Sequence, residues 1–340
     1  MITESNQEKI TEEQFRPVTV QEEEKEEIAT EAISFGRDAW RRLLKNKAAF
    51  ISALIILFIA IMAFVGPHMN EFTYKEQEIK ASNVPPKIGP LENIGWLPFT
   101  GVNSDDVDLY EQRQLDDNYW FGADKLGRDI WTRTWKGTQI SLIIGVVATL
   151  VDLLIGVIYG GISGYFGGNV DNVMQRIVEV LMGIPQLVII ILLIMVFKPG
   201  LFAIILAIAL TGWIGQSRIV RGQILKIKSS EYILAARTLG AKPRRLIGKH
   251  LLPNTLGQII ITTMFSIPTA IFAEAFLSFI GLGIPQPQAS LGTLIDSGSK
   301  VVDTHAYQVF FPALVLSLLL ICFNLFADGL RDAFDPRMRR

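Results

Sequence analysis

Six apolar runs limit what this chain can fold into: Ala48 to Val65, Ile140 to Ile162, Val180 to Phe197, Leu201 to Gly215, Ile259 to Ile280 and Val309 to Phe326. The hydrocarbon core of a bilayer is about 30 Å thick, so a spanning helix needs about 20 mostly apolar residues. At that depth no water satisfies backbone N–H and C=O groups, and a helix is the form that satisfies them within one segment. The runs therefore predict an all-α polytopic membrane protein with six transmembrane helices. Composition agrees. Hydrophobic residues make up 50% of 340 and the mean hydropathy is +0.35, too apolar for an ordinary soluble domain and too long for a single anchor.

Charge placement orients the spans. Arg37, Arg41, Arg42, Lys45 and Lys47 precede the first run, which by the positive-inside rule puts the N-terminus in the cytoplasm. Counting crossings from there leaves the Lys198-Pro-Gly200 turn and the Pro285 to Gln308 loop outside, and the Ser229 to Asn254 loop and the C-terminus inside. Basic residues from Arg218 to Lys249, and Arg331, Arg337, Arg339 and Arg340, gather on the inner side so defined. Because charges are segregated in this way, the net charge of −1 is no pointer to nucleic acid, and no such partner is expected.

The expected organisation follows. Residues 1–36 form an acidic cytoplasmic tail, centred on Glu22 to Glu27 and disordered by composition. Residues 37–66 hold the basic approach and first helix, and 67–138 a long polar extracytoplasmic insert containing Pro85-Pro86. A five-helix core with a cytoplasmic loop at 218–254 fills 139–330, and 331–340 are a basic cytoplasmic tail. Cys322 lies inside an apolar run, so it reads as a small packing residue with no disulfide framework around it.

Within the inner loop, Ser229 and Ser230 before Glu231 predict a helix start, since hydroxyls cap orphan N–H groups and a carboxylate suits the positive end of the dipole. Gly240 predicts its end in the left-handed conformation, and Pro243 the first turn of a second helix. Tyr232, Ala235, Ala236 and Leu239 fall at the i, i+3, i+4, i+7 spacing of one face whose middle is flat. Such a helix either packs on its own protein or admits a close partner.

Polar residues inside apolar runs need protein or water to face, because an acid at a helix centre costs about 2.5–3.5 kcal/mol on insertion scales. Asp152 and Glu274 are the informative ones. Glu274 follows Pro268, which is expected to kink its span. Glu274 and Pro268 thus read as a pathway or gate pair, with a structural hydrogen bond between helices as the alternative. No segment fits G-x-x-x-x-G-K-[ST], so ATP is not bound here in that manner. Gly161-Ile-Ser-Gly164 matches the short pattern of intramembrane serine proteases, but His68, His250 and His305 all lie outside the apolar runs. The glycines from Gly160 to Gly168 suit close helix packing or a tight turn instead. A secondary transporter is the rival from another class, although the chain has no convincing internal repeat.

Ala235-Ala236, Gly240 and the later Leu252-Pro253 resemble the EAA loop of ABC-importer permeases, with Leu234 where the name-giving Glu would stand and His250 where Ile is usual. Arg41 to Lys47, Phe121 to Asp129, Gly164 to Gly168 with Asp171, Ser278 to Gly283 and Asn324 to Pro336 resemble the second, C-type permease subunit of oligopeptide, dipeptide and nickel importers, most of all the oligopeptide members. Ser290-Leu-Gly292 departs from that pattern in lacking a Trp.

The resemblance implies a type I ABC importer permease fold in the cell membrane of a bacterium, with both termini cytoplasmic. It implies a second homologous permease, two ATP-binding subunits, an extracytoplasmic substrate-binding protein and a peptide substrate. Glu231, Tyr232, Ala235, Ala236, Leu239, Gly240, Leu252 and Pro253 would meet the ATPases. ATP and magnesium would sit on those partners, leaving this chain without a cofactor and without catalysis of its own. Dipeptides or nickel are the alternative cargo. Trp131 and Trp135, one helical turn apart among alternating charges, predict an interfacial helix that either anchors the chain or meets the delivery protein.

Overall fold

A computed structural model of the chain describes residues 35–91, 99–103 and 106–334. The acidic segment expected to be disordered, and Arg337, Arg339 and Arg340 of the basic tail, lie outside the described residues. The chain separates into a unit ending at Asp38, described only as helix from Phe35, and a unit from Ala39 onward that carries the rest of the fold.

The described residues are helical, with no strand among them and three isolated β-bridges in the segment after the first span. The helices are α1 (Phe35–Lys45), α2 (Lys47–Val65), α3 (Leu109–Arg113), α4 (Ile130–Phe166), α5 (Gly168–Gly183), α6 (Gln186–Phe197), α7 (Leu201–Ile227), α8 (Glu231–Thr238), α9 (Pro243–Arg245), α10 (Leu252–Leu277), α11 (Leu291–Ser299) and α12 (Tyr307–Phe334). Among them α2, α4, α7, α10 with its flanking turns, and α12 are long and apolar enough to cross a membrane.

Helices α5 and α6 meet the same measure of length and hydropathy only as a pair, bent by 81°, which is either a broken sixth span or a re-entrant loop. The expected continuous helix from Val180 to Phe197 is broken at Ile184-Pro185. Proline pushes the residue before it out of the helical region, and Ile184 adopts φ −93°, ψ 126°.

Two boundaries differ from the sequence expectation. Helix α4 starts at Ile130, ahead of the apolar run, because the Asp129 side chain accepts the Thr132 N–H at 2.8 Å and caps it there. Trp131 and Trp135 are therefore the opening turns of the span and not a separate interfacial helix. Trp135 is buried, Trp131 donates from Nε1 to the Gly66 carbonyl at 2.9 Å, and both tie α4 to the end of α2. Helix α7 runs on to Ile227, so Arg218 and Arg221 ride on a span helix instead of opening the loop.

Helices α4 and α7 meet along a glycine seam. A Cβ on Gly156 would lie 2.7 Å from the Gln216 Cβ, and one on Gly160 would lie 2.3 Å from the Ser217 carbonyl oxygen. A Cβ on Gly164 would stand 3.0 Å from the Arg221 carbonyl oxygen. Only glycine lets the backbones approach this far. Of the glycines from Gly160 to Gly168 expected to pack closely or to turn, Gly160 and Gly164 pack closely, whereas Gly161 is buried in ordinary contact, a Cβ there lying 3.8 Å from Ile247. Gly167 and Gly168, at φ +65° and +53°, make the tight turn into α5.

The main core joins Ile59 of α2, Trp135 of α4, Ile267 and Ile271 of α10, Leu291 of α11 and Leu319 of α12. Cys322 is buried on α12, as a packing residue should be. In the segment after α2, Ala81, Val84, Tyr110, Tyr119 and Ala123 form a small separate cluster, with Phe72 stacked on Tyr119 at 4.3 Å.

Candidate functional site

The loop between α7 and α10 has the predicted helix–Gly–helix form, reached partly by other means. Ser230 occupies the N-cap position, but its hydroxyl donates to the Ile227 carbonyl at 2.6 Å and caps no N–H of α8. The Ile227 carbonyl at the end of α7 also accepts the Ser230 N–H at 3.1 Å, so backbone and side chain of Ser230 both turn back to α7. At the other end the expectation holds in full. Gly240, at φ +81°, donates to the Arg237 carbonyl at 2.9 Å, and Ala241 donates to the Ala236 carbonyl at 3.1 Å. This double bond pattern is the Schellman stop, and it fixes where α8 ends.

The second helix is not a separate short one. Pro243 opens α9, which passes through a wide turn over Leu246–Leu251 into α10. Leu252 and Pro253, read from the sequence as closing the loop, lie in the first turn of α10. The wide turn stands directly before Pro253, whose ring nitrogen has no proton to give the preceding turn.

On α8, Glu231, Tyr232, Ala235 and Leu239 are exposed, together with Gly240 beyond it, and Leu239 reaches 88%. Ala236 is half-buried at the edge of that face. Leu252 is half-buried beneath the loop and Pro253 is exposed. The anchor is Ile233, fully buried against Val220 and Ile224 of α7, Leu251 of the wide turn and Ile259 of α10. No sequence signal singles out Ile233: it and Leu234 both fall off the flat face of α8, and of the two Ile233 is the buried one.

Three further ties hold the loop. The Arg237 guanidinium lies 5.8 Å from the Tyr165 ring centroid at the end of α4. Lys228 donates from Nζ to the Gly164 carbonyl at 3.0 Å. Arg221 grips the Asp171 carboxylate of α5 with two hydrogen bonds, and Ser163 donates its hydroxyl to the same carboxylate. Ser163 is fully buried, with Gln175 donating to it at 3.1 Å, so its hydroxyl serves this clamp.

Glu274 is sealed inside the bundle at 0% exposure. It accepts hydrogen bonds from Ser141 of α4 and from Ser278, both at 2.7 Å. Ser290, before α11, donates to Ser278 at 3.2 Å, and the Leu291 N–H donates to the Ser141 hydroxyl at 3.3 Å. The carboxylate thus joins α4, α10 and α11. Pro268 is buried inside α10, and its missing N–H leaves the Met264 carbonyl without a helical donor.

The described residues thus set spanning helices around a glycine seam, with a short helix anchored through Ile233 on the loop between two of them and its other face exposed. The chain belongs to the binding-protein-dependent transport system inner membrane component family, which it matches over residues 153–340. Residues 34–86 match the N-terminal TM domain of oligopeptide transport permease C. It is 45% identical to the dipeptide transport system permease protein DppC of Bacillus subtilis (strain 168), over 93% of this chain and 90% of that one. It is 41% identical to the oligopeptide transport system permease protein OppC of the same organism, over 96% and 97%. The Escherichia coli (strain K12) OppC is 34% identical over 92% and 95%. Among solved structures, a chain of the MetNI methionine ABC transporter superposes with a TM-score of 0.51 at 18% identity, covering 59% of this chain and 95% of that one, and so shares the fold.

Proposed function

We propose that this chain is the C-type permease subunit of an ABC importer that brings peptides into the cell. The single observation that carries the reading is α8, whose Tyr232, Ala235 and Leu239 face is free while Ile233 is locked into three other elements. A free rigid helix face on a loop suits a groove in a partner. ATP-binding subunits are that partner here, with ATP and magnesium bound on them and hydrolysed there. A second homologous permease completes the pathway, and a substrate-binding protein delivers cargo from outside.

In this reading the α8 loop and both termini are cytoplasmic, and the segment between α2 and α4 is extracytoplasmic. Closure of the ATPase pair on ATP displaces α8. The displacement passes through Ile233 to α7 and α10, and through Arg237, Lys228 and Arg221 to the α4–α5 corner. The bundle then shifts between inward- and outward-open populations, provided that nucleotide binds the two with different affinity. Burial of Glu274 among serines supports a joining role for it over a lining role, and Pro268 is the weak point of α10 at which bending would concentrate.

Peptide cargo rests on the named relatives, all of them peptide permeases, and nickel is not favoured by them. The test is uptake of a labelled di- or tripeptide by cells lacking their own importer and supplied with this subunit and its partners. Uptake that needs this chain and ATP supports the proposal. Uptake unchanged by its deletion contradicts it.

A further inference from the structure

A crevice of about 340 Å³ opens between α4, α7, α10 and the start of α6, at the level of the spans. Its one charged wall residue is Asp152 of α4, which is 93% buried by its 7% exposure and lies against Gly212 of α7, where a Cβ would stand only 2.0 Å from the carboxylate. The Oδ1 atom of Asp152 is buried and has no hydrogen-bond partner. An acid inside a spanning region that meets the Trp213 backbone but no side chain, with one oxygen left over, has room for a partner from outside the chain.

The rest of the wall says what that partner is. Thr211 Oγ1 donates to the Ile208 carbonyl at 3.5 Å, Ser266 Oγ to Thr262 at 3.1 Å, and Thr269 Oγ1 to Phe265 at 2.9 Å. Each hydroxyl proton is committed to the residue's own helix, so these side chains turn lone pairs toward the crevice. Only the Gln186 amide offers donors as well. A negatively charged, acceptor-rich wall fits a donor-only cation, and an ammonium group has three N–H donors and no acceptor. Gln186, at the start of α6, is also exposed, and a lipid contact would leave its amide dry, which favours a watery mouth for the crevice.

We propose that this crevice is a station on the solute path that receives the α-ammonium group of the transported peptide, with the Asp152 carboxylate as its counter-charge. The inference rests on the import function proposed above. Its volume suits one terminal residue and not a whole peptide, so the rest of the chain would lie toward the second permease.

The test uses the complete importer, purified with its partner subunits and reconstituted into proteoliposomes, with two labelled probes: tri-alanine and its deaminated analogue propionyl-alanyl-alanine. Each probe's uptake in the variant is read against its own uptake in wild type, so that the binding protein's preference, the same in both preparations, cancels and the permease is isolated. Asp152→Asn is expected to lower tri-alanine uptake about tenfold and to leave the analogue nearly unaffected, the size of one lost charge-assisted hydrogen bond. Asp152→Glu should recover part of the difference. Ala273→Trp, which enlarges a lining residue on α10 and leaves Asp152 in place, should reduce both probes. Equal loss of both probes in Asp152→Asn, or wild-type uptake of tri-alanine, overturns the station. So does release of the second permease from the Asp152→Asn complex, which would make Asp152 a subunit contact. A wild-type importer that assembles and takes up neither probe contradicts the import function itself, and the station with it.

Discussion

Arg221 of α7 meets Asp171 of α5 through two parallel hydrogen bonds, Nε to Oδ1 at 2.6 Å and Nη2 to Oδ2 at 2.5 Å. A fork-to-fork pair of this kind fixes direction as well as distance. Here it fixes the helix that feeds the α8 loop to the corner from which the bent α5–α6 pair departs. Breaking a buried pair costs about 3–5 kcal/mol, and the 30% exposure of the Arg221 side chain reduces that to roughly 2 kcal/mol. Asp171→Asn or Arg221→Gln alone should lower the thermal midpoint of the detergent-purified chain accordingly. The double variant should lose less than the sum, since no charge is then left unpaired. Strict additivity would show that the two residues do not act as a pair.

The glycine seam predicts a contrast between neighbours. Gly160→Ala places a methyl 2.3 Å from the Ser217 carbonyl and should destabilise by about 1–3 kcal/mol through overpacking. Gly161→Ala meets nothing closer than 3.8 Å and should stabilise α4 by up to about 1 kcal/mol through helix propensity. Thermal unfolding of both variants checks this. Equal effects would mean that the helices do not approach as closely as described.

Glu274 should behave as a joint. Glu274→Leu leaves the Ser141 and Ser278 hydroxyls without their acceptor, costing about 1–3 kcal/mol for each buried group. Glu274→Gln keeps one oxygen and should lose about 1 kcal/mol, with uptake retained by the folded fraction. Full stability with uptake abolished would return Glu274 to the pathway.

Asp129, just before α4, gives a pH dependence of definite sign. Burial raises its carboxyl above the ordinary 3.8, against hydrogen bonds from Thr132 and Asn70 that pull it down. The folded state therefore binds this proton more tightly than the unfolded state. Its contribution to stability is complete below 3.8 and is lost as pH rises through the raised value. Asp129→Asn keeps an oxygen to cap Thr132 and should flatten that segment of the stability curve. Denaturation of wild type and variant from pH 3.5 upward, about the range of ordinary carboxyl titration, reads the difference. A wild type that gains stability with pH across the window while the variant stays flat would contradict the assignment.

The apolar runs placed the spans because lipid leaves no other backbone solution, and Gly240 placed the end of α8 because the left-handed stop needs it. What the runs could not reveal was set by single polar residues. Asp129 started α4 early, and Pro185 broke a run whose hydropathy is uninterrupted. The free face of α8 was legible as Tyr232, Ala235 and Leu239, while Ile233 was not, since Leu234 beside it is equally aliphatic and an eight-residue helix is too short for periodicity to tell the two apart. The Asp171–Arg221 clamp joins residues 50 positions apart, beyond the reach of any local pattern. Trp131 and Trp135 misled for the opposite reason: their spacing and charged neighbours fit an interface, but tertiary contact with Gly66 decided their place.

The central claim is that α8 docks a partner that hydrolyses ATP. The most direct measurement is affinity purification of this chain from detergent-solubilised native membranes, with wild type compared with a variant carrying Ala235→Glu and Ala236→Glu. The account predicts that a second permease and ATP-binding subunits accompany the wild type, and that the ATP-binding subunits are lost from the variant while the second permease stays. If the chain emerges alone in both cases, the α8 face has no such partner and a self-sufficient carrier takes the place of the importer.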